Sequence, residues 1–336
     1  MKSILRFSTV LALAALVGCS QNQQPTAPET ADLSQEAAAL SLEKSLPKIT
    51  VPDDYATIQA AVDAATGATK INVKSGTYTE AVVVTKPGLV IGATGAVTLN
   101  GGFYLTDAAD NVTIRNFTIV PQGTALPPSW PFGGVEFAGI YAFGVTGGKA
   151  EDNTVTGGSS FEFGIYYENS TGCTIKGNSV SGTNFGIVLK NSSGNTIDEN
   201  TVTGTGGPGI QLYADNSGSG TCDNNTISGN RSNSSTGSAG IDFLGTAGKI
   251  LRKNVVKDNE VKGNYYGITL NGADRTTIGS DNVIMNNANY GIWIASATNT
   301  TIKKNTVTNN TPCDILQTSG SGNVLIKNTA GCVSGF

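Results

Sequence analysis

The stretch Gly186 to Thr203, GIVLKNSSGNTIDENTVT, reads as one turn of a coil. Ile187, Val188 and Leu189 form a short apolar run, and Asn191-Ser192-Ser193-Gly194 is turn chemistry. Thr196-Ile197 opens a second run and Asn200-Thr201-Val202 a third. The unit begins again at Gly209-Ile210.

The same heading stands at Gly139-Ile140, Gly164-Ile165, Gly240-Ile241, Gly267-Ile268 and Gly291-Ile292, and Asp314-Ile315 follows without its Gly. A second apolar marker follows ten residues later at Ile175, Ile197, Ile278, Ile302 and Leu325. A third comes five residues after that, at Val180, Val202, Val283 and Val307. Three apolar points per coil suit three short strands and do not suit the helical period. A fixed period of this length signals a solenoid, and Asn and Gly at the corners point to a parallel β-helix. One coil cannot bury its own inner face; coils stacked about 4.8 Å apart can. Asn116, Asn153, Asn178, Asn200, Asn225, Asn282 and Asn305 are read as one corner column before the third strand, bonding each other and the turn backbone.

Composition agrees. The 336 residues include 43 Gly and only 14% charged side chains, as many short strands and turns require. The net charge is −4, with Lys and Arg scattered, so no nucleic-acid partner is expected. Histidine is absent, which removes Ser-His-Asp triads, His-ligated zinc and histidine bases. No metal site and no cofactor are expected, and a monomer is.

Residues 1–18 have the basic start and short apolar segment of a secretion signal. Leu16-Val17-Gly18-Cys19 resembles the bacterial lipoprotein box, which implies lipidation of Cys19 and a membrane anchor at the cell envelope, at the outer membrane in a Gram-negative cell. Residues 19–48 read as a polar, Pro-bearing tether. The β-helix is assigned to 49–336, with a cap over 49–80 and regular repeats over 139–330. Tyr55 to Ala65 is predicted as a helix that plugs the open end. Two long insertions are expected, Val120–Ala138 and Ser228–Ala239, with a smaller extension at Ala214–Thr221.

Val51-Pro52, Tyr55, Ile58-Gln59-Ala60-Ala61-Val62, Ile71, Val73, Ser75-Gly76-Thr77-Tyr78 and Glu80 resemble the entry to pectate-lyase-like right-handed β-helix proteins, a group that includes pectin methylesterases. The resemblance covers about residues 49–330. It implies an all-β, single-stranded right-handed parallel β-helix with an N-terminal capping helix. That fold carries lyases, hydrolases, esterases, epimerases and proteins without catalysis, so it does not select an activity. Ile241-Asp242-Phe243-Leu244-Gly245 is similar to the pectin methylesterase nucleophile segment but one residue short, without its Gln-Asp and Arg partners. The Asp-Pro-His-Pro motif of mannuronan epimerases is missing.

Alternation sorts the strand after each Gly-Ile. The inward column, Ala142, Tyr167, Leu189, Leu212, Phe243, Leu270 and Ile294, is nearly all apolar, though Tyr167 needs a partner for its hydroxyl. One outward column runs Tyr141, Tyr166, Val188, Gln211, Asp242, Thr269, Trp293. The next runs Phe143, Glu168, Lys190, Tyr213, Leu244, Asn271, Ala295. Exposed aromatics beside amides and carboxylates suit sugar rings, so Tyr141, Tyr166, Gln211, Trp130 and Trp293 are candidate ligand contacts. Aromatics also simply favour strands. Glu168, Lys190 and Tyr213 fall on successive coils and would serve a polysaccharide lyase as neutraliser, base and acid, with Asp242 as a further catalytic candidate. A surface ion pair is the plain alternative. Glu168 and Asp242, about 14 Å apart, do not suit a glycosidase pair. The partner expected is a polysaccharide, bound and potentially processed by an exported protein; the alternative is a non-catalytic adhesion or structural protein with the β-helix as a rigid spacer. Cys313 and Cys332, within one coil length, are expected to form a disulfide, and Cys173 and Cys222, two coils apart, are not.

Overall fold

The computed structural model describes residues 41, 43–122, 137–158 and 162–336. The 1–18 leader, Cys19, most of the 19–48 tether and Trp130 in the Val120–Ala138 insertion lie outside the described residues.

From Leu46 to Phe336 the chain winds as one parallel β-solenoid. Each strand pairs in parallel with the strands one rung before and after it. The Gly-Ile headings set the register: Ile140, Ile165, Ile187, Ile210, Ile241, Ile268, Ile292 and Ile315 form one column, fully buried. The second markers form another, including Ile175, Ile197, Ile227, Val256, Ile278 and Ile302. Among the described residues the sheet through these second strands holds twelve strands, so the solenoid has about twelve rungs. Val155, Val180, Val202, Val261, Ile284 and Val307 close the core from the third face. Each rung therefore shares its apolar side chains with its neighbours, which is how a coil of about two dozen residues acquires a core.

Three readings of the repeat are corrected. Val283 is not the inward residue of its strand; Ile284 is, because Ser280-Asp281 lengthens the preceding corner by one residue. Ser228–Ala239 is not an insertion. Thr226–Ser228 is the second strand of its rung and Arg231–Asn233 the third. Ser232 takes the inward position, fully buried, and its hydroxyl donates to Gly240 O at 2.6 Å. The asparagines form more than one ladder. One runs Asn153, Asn178, Asn200, Asn230, Asn259, Asn282, Asn305, Asn328. Asn225 belongs to another, with Asn195 and Asn254, and Asn116 to none of these, its φ of 65° placing it at a left-handed corner. A third runs Asn264, Asn287, Asn310 and ends on Asp314.

The glycine of the heading has a steric reason. A Cβ on Gly164 would lie 2.3 Å from Val180 Cγ1, so this residue faces the core, as Ile165 does after it. Two consecutive inward residues flip the alternation, and the residue before the glycine faces out.

The helix Ile58–Ala64, shorter than Tyr55–Ala65 because Thr57 is its N-cap, lies over the first rungs with Ile58, Ala61 and Val62 buried. Glu80 accepts the backbone N–H groups of Ile58 and Gln59, both at 2.9 Å. Lys86 donates to the carbonyls of Val62, at 3.2 Å, and Ala65, at 2.8 Å. Charges of the right sign thus hold both helix ends. Gln59 donates to Val83 O at 3.1 Å and accepts from Val83 N at 2.6 Å, taking the place of a neighbouring strand at that point. At the other end Cys313 and Cys332 are bonded, with Cα atoms 5.1 Å apart, while Cys173 and Cys222 are free and buried. Burial pushes these two thiols up, to about 11 and about 12.

Candidate functional site on the first-strand face

The strands that follow each Gly-Ile stack Glu168, Lys190, Tyr213 and Leu244 in one outward column, and Tyr166, Val188, Gln211 and Asp242 in the other. A bulge after Leu270 shifts the register, so Asn271 pairs with Ser296 rather than Ala295.

Tyr141 and Tyr166 are not exposed. They are 1% and 6% accessible, stacked on each other at 5.0 Å. Phe163 continues the stack on Tyr166 at 4.9 Å, and Phe185 on Phe163 at 4.8 Å. Phe163 and Phe185 each precede a heading glycine, and the flip at that glycine turns them outward onto the tyrosines. The result is a second, smaller apolar cluster outside the solenoid wall, with Val83, Tyr104, Ala138 and Val188. Removing the Tyr166 side chain would therefore cost stability, about 3 kcal/mol or more for a buried aromatic, contrary to the expectation for an exposed one.

Both tyrosine hydroxyls donate to Glu168 Oε2, at 2.9 and 3.0 Å. Burial raises both hydroxyls' pKa values and the Glu168 charge raises them further. Glu168 Oε1 lies 3.1 Å from Lys190 Nζ, which lies 3.3 Å from Asp215 Oδ2. The three side chains are only 12%, 19% and 20% exposed, so this network is shielded far more than an ordinary surface pair. Burial pulls the ammonium pKa of Lys190 down, but its two carboxylate partners outweigh that and raise it. Burial likewise opposes ionisation of Asp215, yet donors from Ser217 and Asn191, with Lys190, hold its carboxyl well below the usual range. The Lys190 ammonium also sits 5.9 Å from the centre of the Tyr213 ring.

Asp215 is placed by the extension that follows the Ile210–Ala214 strand. That loop folds back two rungs: Ser219 N donates to Asn169 Oδ1 at 3.2 Å, and Asn191 Nδ2 donates to Ser217 O at 2.6 Å. The Ala214–Thr221 extension, and not Ser228–Ala239, is the one that builds the site.

Beside the network lies a cleft of about 320 Å³, lined by Phe163, Tyr166, Phe185, Val188, Lys190, Gln211, Tyr213, Leu244 and Thr246. Of the four catalytic candidates, Glu168, Lys190 and Tyr213 meet at its edge. Asp242 stands one rung beyond Gln211, whose amide donates to its Oδ2 at 2.8 Å, and Thr269 donates to its Oδ1. Burial pushes the Asp242 carboxyl up against these donors. Trp293 is three rungs from Gln211, in a separate aromatic group; it stacks on Tyr266 at 5.1 Å and donates to Thr318 at 3.2 Å. Tyr167 is inward and fully buried, and among the described residues its hydroxyl has no hydrogen-bond partner. Among the described residues no three acidic or cysteine side chains gather as a metal site.

The family model of the right-handed beta helix region matches residues 101–281 and again 252–330. The chain belongs to this right-handed β-helix family. Among curated proteins no sequence matches it. Among solved structures this β-helix is similar to the surface adhesin PfbA of Streptococcus pneumoniae, with a TM-score of 0.62, 13% identity and 84% of each chain covered. It is similar to the periplasmic alginate epimerase AlgG, with a TM-score of 0.55, 13% identity and 88% of each chain covered. It is also similar to the A-module of the Azotobacter vinelandii mannuronan C-5 epimerase AlgE4, with a TM-score of 0.52, 16% identity, and 83% of this chain and 91% of that one covered. At these identities the likeness is one of fold.

Proposed function

We propose that this protein is exported and binds a polysaccharide along its first-strand face, at the cleft beside Lys190. The observation that carries the reading is the cleft itself: aromatic walls from Phe185 and Tyr213, with the amide of Gln211 and the hydroxyl of Thr246 among them. Aromatic faces accept the C–H faces of sugars, and a few polar groups orient them. The rungs line such groups up along the solenoid axis, as a linear polymer requires. Polysaccharide-acting epimerases and a surface adhesin among the similar folds support the same class of partner. The lipoprotein box at Cys19 supports attachment to the cell envelope. Among the described residues no helix is long and apolar enough to cross a membrane.

Binding is favoured over lyase chemistry because Lys190 is held between two carboxylates and its ammonium is stabilised. A base must be able to lose that proton. The adhesion or spacer role, which asks only for binding or stiffness, fits this geometry. Tyr213→Ala and Phe185→Ala should each weaken binding by about 1 kcal/mol or more, as cleft anchors do, with the fold intact by circular dichroism. A glycan array followed by calorimetry on the parent and these variants tests it. A parent that binds no glycan sinks the reading.

A further inference from the structure

We infer that the cleft takes uncharged sugar units and discriminates against uronates. The inference rests on the cleft being a glycan site and names which glycans enter it. Lys190 is the one formally charged residue lining the cleft among the described residues, and its charge is already spent. Glu168 Oε1 and Asp215 Oδ2 stand 3.1 and 3.3 Å from its ammonium, so these three groups together carry a net negative charge. Lys249 Nζ lies against Gly220 in the same loop and does not line the cleft. The remaining walls are aromatic, aliphatic or neutral polar.

A uronate carboxylate brought beside Lys190 would meet an ammonium that is already overcompensated. It would also meet the like charges of Glu168 and Asp215 directly behind it. Like-charge juxtaposition in a partly buried site is strongly unfavourable. A neutral hexose carries no such penalty and still gains the aromatic faces of Phe185 and Tyr213. The side chains of this cleft therefore do not suit the anionic polymers on which the similar epimerase folds act.

The test is a matched panel of oligosaccharides of equal length, neutral and uronate, titrated calorimetrically against the parent protein and Asp215→Asn. The parent should bind a neutral member at least about tenfold more tightly than any uronate, a difference of about 1.4 kcal/mol. Asp215→Asn, which removes one of the two compensating charges, should narrow that gap, and Glu168→Gln should do the same if the loop does not tolerate the first change. A uronate bound as tightly as the neutral sugars would overturn the inference and leave the glycan reading standing. An unchanged preference in two folded variants would overturn the assignment to the ion-pair network. No binding to any member would overturn the glycan reading itself.

Discussion

At the scale of single residues, Asp314 does what an asparagine at the same place would not. It ends the Asn264–Asn287–Asn310 ladder by accepting Asn310 N and Nδ2 on Oδ1, both at 3.0 Å, and it accepts Gly331 N and Cys332 N on Oδ2, at 2.7 and 3.2 Å. Burial opposes its charge, but these donors outweigh it and lower its pKa. A carboxyl depressed in the folded state contributes stability that is complete above its unfolded pKa, about 3.9, and is lost as pH falls through the folded value. Asp314→Asn keeps Oδ1 but turns an N–H toward two N–H donors. It should lose about 1–3 kcal/mol at neutral pH and show a flatter loss of stability below about pH 4; denaturant melts across pH check both. Tyr167 shows the limit of reading residues alone. Its inward place follows from alternation, but whether its hydroxyl finds a partner depends on side chains from neighbouring rungs.

At the scale of elements, the capping helix is held by Glu80 and Lys86 at its ends as well as by its buried Ile58, Ala61 and Val62. Glu80→Gln and Lys86→Ala should each cost about 0.5–2 kcal/mol. The cost should be local: amide exchange should quicken in Lys70–Val73 and Gly76–Val84 and stay unchanged near Ile292–Thr298. The repeat was legible where its spacing held and its inward residues were aliphatic, as at Ile175 and Val180. It became illegible at Ser232, where a hydroxyl satisfied by Gly240 O replaces the apolar marker and a strand passes for a loop. The site was half legible. Alternation placed Glu168, Lys190 and Tyr213 side by side, but Phe163 and Phe185 went unassigned, because the parity change at each heading glycine is set by a three-dimensional contact with Val180 or Val202. Asp215 was beyond reach for another reason: nothing in the spacing of Ala214–Thr221 says that the loop turns back toward Lys190.

At the scale of the whole molecule, residues 46–336 stack as one solenoid, and the lipid anchor proposed at Cys19 would set where the protein is held. Cys19→Ser should move the protein from the membrane to the soluble fraction and remove the acyl mass from the intact protein; unchanged partition with no acyl mass on the parent would exclude the anchor. The asparagine ladders add a sense of direction to the solenoid. Each Asn sends its Nδ2 to the Oδ1 of the next rung, and that oxygen also takes the backbone N–H of the earlier Asn, as at Asn153 and Asn178. A rung just completed therefore ends in two idle donors, and the rung that relieves them is always the one translated next. Domains emerge from the ribosome N-terminus first, and from Asn153 onward each rung so made leaves a template for the following one. The capping helix, made directly after the first strand Lys48–Val51, closes the end that has no predecessor. The molecule is ordered in time as it is in space: its stacking can proceed in the order of its synthesis, with no rung waiting for a distant part of the chain.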